Sequence, residues 1–274
     1  CSKLVQWLQK KLEDKITINY GSNRKGDIPH SFAKIDKIKK DIYNISSDRI
    51  SSYFPTLIVI DKMLKLFADM MVLTYERYND NVWNNDVFYI KVYHKDEYLG
   101  KIYFDLYPRD GKFNHAACFP IIQSRKENNK KVYPVCALVT NFPPPSKEKP
   151  SLLKYNDVIT LFHEFGHCLH NLFGFQDFIT LSGTSVERDF VETPSQLIER
   201  FLLEKDIIQN ISQHYQTGEQ LDIEIINNII KMDNLMFLYG SLKVGKELHF
   251  FDERDDVEFV DEFVSDNKFQ MLDL

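Results

Sequence analysis

Leu161-Phe162-His163-Glu164-Phe165-Gly166-His167-Cys168-Leu169-His170 sets His163 and His167 four positions apart inside an otherwise apolar run. Side chains four apart on a helix stand one turn apart on one face, so both imidazoles can reach a single metal ion. Glu164 is turned away by roughly 100° and can stand beside the metal's open position, where a carboxylate takes a proton from water. Val158, Ile159, Leu161, Phe162 and Phe165 surround these polar groups. Three polar side chains on so apolar a helix cost free energy unless they are partnered, and a metal is such a partner.

A catalytic zinc takes three protein ligands and keeps a fourth position open. His170 is one candidate for the third. The longer metzincin pattern is excluded, because it wants Gly at position 170 and His at position 173, where this chain has His170 and Phe173. The other route is a carboxylate from the next helix, Gly183–Gln196, which offers Glu187, Asp189 and Glu192. Thr184 with Glu187 fits a capping box, so a helix is expected from about 185. Pro194 then either kinks it or opens a second segment capped by Thr193. Spacing leaves the three carboxylates open.

Outward from the motif, the hydrophobic period predicts helices near 155–173, 185–207 and 221–249, and a mostly buried helix over 56–72. Helices are also expected over 3–14 and 32–44, with a loop over 20–31. Between them the period changes. Val87–Tyr93 and Leu99–Tyr107 are β-branched and aromatic, and His94–Glu97 reads as the turn of a hairpin. A third strand is expected at Val132–Asn141, ended by Pro143-Pro144-Pro145. The fold class is α+β, mainly helical, with a small antiparallel sheet.

The chain has 274 residues, 43% hydrophobic and 14% aromatic, which suits a packed core rather than a disordered chain. A net charge of −6 argues against nucleic acid as a partner, and the clusters Lys37, Lys39, Lys40 and Lys126, Lys130, Lys131 read as solvated faces. Four cysteines without a CxxC pair point to a reducing compartment. Cys168 reads as a packed free thiol, since another ligand would close the site. No apolar run reaches membrane-spanning length and no signal peptide is read at the start. The cytoplasm is the expected location, with mitochondria second.

Several blocks occur in order: Tyr53-Phe54-Pro55; Gly100-Lys-Ile-Tyr-Phe-Asp-Leu-Tyr-Pro-Arg109; Gly111-Lys-Phe-Asn-His-Ala-Ala-Cys-Phe119; Asn141-Phe142; Lys149–Leu153; the His163–His167 motif; and Ser182–Gln196. Together they resemble the thimet oligopeptidase and neurolysin family of zinc oligopeptidases. The likeness runs from about residue 48 to 250, with 1–47 matching poorly.

The resemblance implies a zincin-like catalytic core, one Zn2+ per chain and Glu192 as third ligand beside His163 and His167. It implies Glu164 as general base and short peptides as substrates in a deep channel. The hairpin and the segment around His115, Ala116 and Ala117 would line that channel, with His115 and Ala116 near the substrate. Glu187 and Asp189 are the candidates for holding the ligand rings.

Family members are longer and carry a later segment rich in Gly, His and Tyr that supplies hydrogen bonds to the oxyanion. This chain starts at Cys1 and reaches Leu274 without that block, and Tyr239-Gly240 comes too early to be it. One partial catalytic domain is therefore expected over 1–274. Its alternative function is that of a non-catalytic zinc-binding fragment.

Overall fold

The computed structural model describes residues 47–231. The expected helices over 3–14 and 32–44, the loop 20–31, most of the helix over 221–249, Cys1, the lysines at 37, 39 and 40, and Tyr239-Gly240 lie outside the described residues. Residues Lys39–Ile230 form one compact unit, and the second unit, made of the two chain ends, is described only at Lys231.

Helix α1 (Ser47–Ser51) leads through Phe54-Pro55 into α2 (Thr56–Met71). The apolar positions of α2 recur at helical spacing, so Val59, Ile60, Met63 and Phe67 are buried together on one side. Strands β1 (Leu73–Tyr78), β2 (Phe88–His94) and β3 (Glu97–Asp105) form an antiparallel meander. The β2–β3 hairpin lies where its β-branched and aromatic residues predict it, and Lys95 and Asp96 turn with positive φ. Strand β1 was not expected: Leu73-Thr74-Tyr75-Glu76-Arg77-Tyr78 buries only Leu73, so its apolar signal is weak, and pairing with β2 is what makes it a strand.

Strand β4 (Ala117–Ile122), the small hairpin β5 (Arg125–Glu127) and β6 (Lys130–Val132), and β7 (Val135–Val139) follow. The main sheet has the order β1-β2-β3-β7-β4. It is mixed rather than antiparallel, because β7 runs parallel to β3. The chain crosses from β3 to lay down β4 first and then returns with β7 between them, pairing antiparallel with β4. Residue periodicity carries burial but not strand direction, which is why this was unreadable. Strand β4 was also missed. Pro120 has no N–H to give a ladder and is tolerated only at an edge, which is where β4 lies.

The end of β3 is clamped onto β7. Asp105 is buried and accepts both Arg109 guanidinium nitrogens, at 2.6 and 2.7 Å, and the Trp83 indole N–H at 2.8 Å. Lys112 Nζ lies 2.9 Å from the same carboxylate and donates to the carbonyls of Tyr107 and Thr140, at 2.7 and 2.5 Å. Burial alone would raise the Asp105 carboxyl, but hydrogen bonds from Arg109, Lys112 and Trp83 prevail and bring it down to about 2.

Helix α3 (Tyr155–Phe173) starts where Asp157 accepts the Lys154 backbone N–H at 2.9 Å and is closed by Gly174. The expected single helix over 185–207 is four pieces. These are α4 (Arg188–Val191), α5 (Thr193–Arg200), a 3₁₀ turn (Phe201–Leu203) and α6 (Lys205–Ile211). Thr184 does not cap α4. Ser185 instead bonds back to the Ser182 carbonyl and accepts from the Gln123 amide at 3.1 Å, so the helix begins only at Arg188. Pro194 lacks the N–H that an unbroken helix would use and falls in the first turn of α5. Helicity returns over 223–231. The core joins α2, α3 and the sheet, with Phe67 set against Phe162, Phe165 and Phe201 at ring distances of 6.1, 5.4 and 6.0 Å.

Candidate metal centre

Glu192 stands at the break between α4 and α5, ending one helix and opening the next. That break turns its carboxylate to α3. Its Oε2 lies 3.2 Å from His163 Nε2 and 3.1 Å from His167 Nε2, and the two ring nitrogens are 3.1 Å apart. The three atoms form a nearly equilateral triangle. Donors 2.0–2.1 Å from one tetrahedral ion stand about 3.3 Å apart, so the triangle has the edge that zinc requires. It is a mixed set of imidazoles and carboxylate, and all three side chains are partly exposed to solvent. Three lone-pair donors converging this way repel one another unless a cation lies between them. The residues present therefore fit the metal.

Ser195 fixes the loop end of this arrangement. Its hydroxyl donates to the Glu192 carbonyl and lies 3.0 Å from Glu192 Oε2. Gly166, between the two histidines, has a packing role: a Cβ there would lie 2.6 Å from Ser195 Cα. Only a residue without a side chain lets α3 and α5 approach closely enough for Glu192 to reach both rings.

Glu199 reaches the far nitrogen of His163, with Nδ1–H donating to its Oε1. This contact orients the ring and leaves Nε2 free as a ligand. The Glu199 carboxylate pushes His163 above the usual imidazole range, against burial, which lowers it. Glu187 and Asp189, the expected partners, are exposed instead. Glu199 was missed, although one signal was there: it follows Glu192 by seven residues, two helical turns on the same face.

Glu164 is buried beside the triangle. Desolvation raises its carboxyl to about 7, while the neighbouring His163 and the Cys118 backbone amide pull it down. His170 is outside the triangle: its ring lies 6.1 Å from Phe190, and burial pushes its pKa down. The Nδ1 atoms of both His167 and His170 are buried without a hydrogen-bond partner among the described residues. His115 is exposed in the loop before β4, with its ring 5.6 Å from Phe113, and Ala116 adjoins the strand. Cys168 is fully buried, as expected, but not alone, since Cys118 and Cys136 meet it.

Among the described residues no helix is long and apolar enough to cross a membrane. The model of peptidase family M3 matches residues 32–269. Saccharolysin of Saccharomyces cerevisiae is 38% identical over 260 residues, 90% of this chain and 36% of its own length. Thimet-like oligopeptidase of Dictyostelium discoideum is 33% identical over 82% of this chain and 35% of its own. Oligopeptidase A of Escherichia coli is 34% identical over 82% and 33%. The chain thus spans about a third of the length of the curated relatives it matches.

Proposed function

The chain belongs to peptidase family M3, and on that premise we propose that it is the zinc-binding part of a metallopeptidase that hydrolyses short peptides. His163, His167 and Glu192 are the zinc ligands and Glu164 is the general base, in a zincin-like core. One observation carries this reading: a single Glu192 oxygen meets the Nε2 atoms of two histidines one helical turn apart, with a buried carboxyl beside them. The short-peptide class is supported by relatives whose names call them oligopeptidases.

When bound, the metal supplies Lewis-acid polarisation of the scissile carbonyl and of the attacking water. Glu164 takes the proton of that water and delivers it to the leaving amine. Its burial beside the two imidazoles places the carboxyl where it can do both. Glu199 holds the His163 ring through Nδ1 while the reaction proceeds.

Strand β4 pairs on one side only, with β7, among the described residues. Its free edge runs past Glu164, whose carboxylate feels the Cys118 amide. An extended peptide can add there as a further strand, which presents its backbone to the metal centre. His115 and Ala116, at the entrance to that edge, are the substrate-facing residues in this reading. The clamp on Asp105 holds the end of β3 in place beside β7, the strand that carries β4.

The test is Glu164→Gln in the full-length protein, assayed on a short fluorogenic peptide with zinc content measured on the same sample. Cleavage is expected to fall by about 10²–10⁴-fold with zinc retained. Undiminished turnover would remove Glu164 from the role of base. A wild-type protein that purifies and reconstitutes without zinc would remove the ligand assignment as well.

A further inference from the structure

Behind the face of α3 that carries the histidines, three thiols converge. Cys118 comes from β4, Cys136 from β7 and Cys168 from α3. Their Sγ atoms all lie within 4.8 Å of one another, and those of Cys118 and Cys168 are 3.5 Å apart. Cys136 and Cys168 are fully buried, and Cys118 partly so. All three are free thiols.

We propose that Cys118, Cys136 and Cys168 form a second metal site, specific for a soft, thiophilic monovalent ion of the Cu(I) class. Metal–thiolate bonds of about 2.3 Å in a three-coordinate plane place the sulfurs about 4 Å apart. The observed triangle, with one edge of 3.5 Å and none beyond 4.8 Å, brackets that figure. The sulfurs come from two strands and a helix that the rest of the core holds in place, so the site is formed before any ion arrives.

The donor set also selects the ion. No histidine or carboxylate belongs to the group. The neighbouring Asn171 amide donates to Cys118 Sγ at 3.7 Å and to the His167 carbonyl at 2.9 Å, and so offers hydrogens rather than a lone pair. Structural zinc takes four ligands, whereas thiolate-only, three-coordinate surroundings suit Cu(I). The ion enters by displacing thiol protons to solvent, and neither metal nor sulfur changes oxidation state. Cys168 adjoins His167 in sequence, yet roughly 100° of helical rotation turns the two side chains to different surroundings. The thiol group and the histidine triangle share no residue, so each has its own donor set.

The experiment titrates the chain anaerobically with Cu(I) against a chromophoric Cu(I) chelator and measures zinc on the same samples. One equivalent of Cu(I) is expected to be held against the chelator, with sulfur-only coordination by X-ray absorption and zinc content unchanged. Cys136→Ala and the less buried Cys118→Ala should each lose that equivalent, and Cys1→Ala should keep it. Two results overturn the proposal. The first is wild-type protein that surrenders Cu(I) as readily as Cys118→Ala. The second is retained copper that displaces zinc and is lost on Glu192→Ala rather than at the cysteines. Neither result depends on whether the protein cleaves peptides.

Discussion

Helix α3 has two faces that share a backbone and little else. On one, His163 and His167 are partly open to solvent and meet carboxylates from α5. On the other, Phe162, Phe165 and Cys168 are fully buried against α2 and the sheet. In the proposed function the polar face provides the chemistry, and the apolar face provides the stiffness. A donor triangle with edges of 3.1–3.2 Å tolerates little movement, and most of a helix's stability in a protein comes from the packing of its apolar face. The two imidazoles keep their geometry because the opposite side of their helix is packed tightly.

If this division holds, the two faces should fail in different measurements. Phe165→Ala removes a fully buried ring and should cost about 3–5 kcal/mol of stability, read by denaturant unfolding. The folded fraction of that variant should still bind zinc. Loss of zinc affinity without loss of stability would reverse the roles assigned to the faces.

Glu199→Gln acts on the other side. It removes the charge that holds His163 Nδ1–H and should lower zinc affinity by about 10–100-fold in a chelator competition. Its unfolding midpoint without metal should barely move. An unaltered affinity would mean that the His163 ring is oriented by packing alone.

The smallest effect lies in the sheet that supports both faces. The Asp105 carboxyl is depressed in the folded chain to about 2, so the stability it contributes is present above the ordinary carboxylate range and is lost as pH falls through the folded value. Between pH 5 and pH 3 the unfolded chain takes up the proton first, and about 1 kcal/mol should go. Asp105→Asn should flatten that part of the stability-against-pH curve. An identical slope in both proteins would show that the Arg109 and Lys112 clamp does not hold in solution.

Much of this was legible in the order of residues. The bounds of α3 match the expected 155–173, and α2 and the hairpin fall where their periods place them. His163, His167 and Glu164 were readable because their relation is local, four residues or fewer within one helix. Glu192 could not be separated from Glu187 and Asp189 by spacing, because the place of the break between α4 and α5, at Glu192 itself, decides which carboxylate turns inward. The contact of Glu199 with His163 and the thiol cluster join residues far apart in the chain. Glu199 is 36 residues from His163 and Cys118 is 50 from Cys168, and no short-range period records a meeting of that kind.

The order of residues was enough for α2, α3, the β2–β3 hairpin and the two-histidine face, because these rest on neighbours within a few positions. Tertiary structure alone decided the direction of β7, the carboxylates that reach the imidazoles and the convergence of three cysteines. Those outcomes depend on which backbones can approach, as Gly166 against Ser195 makes plain: a methyl group there would push α5 away and break up the triangle.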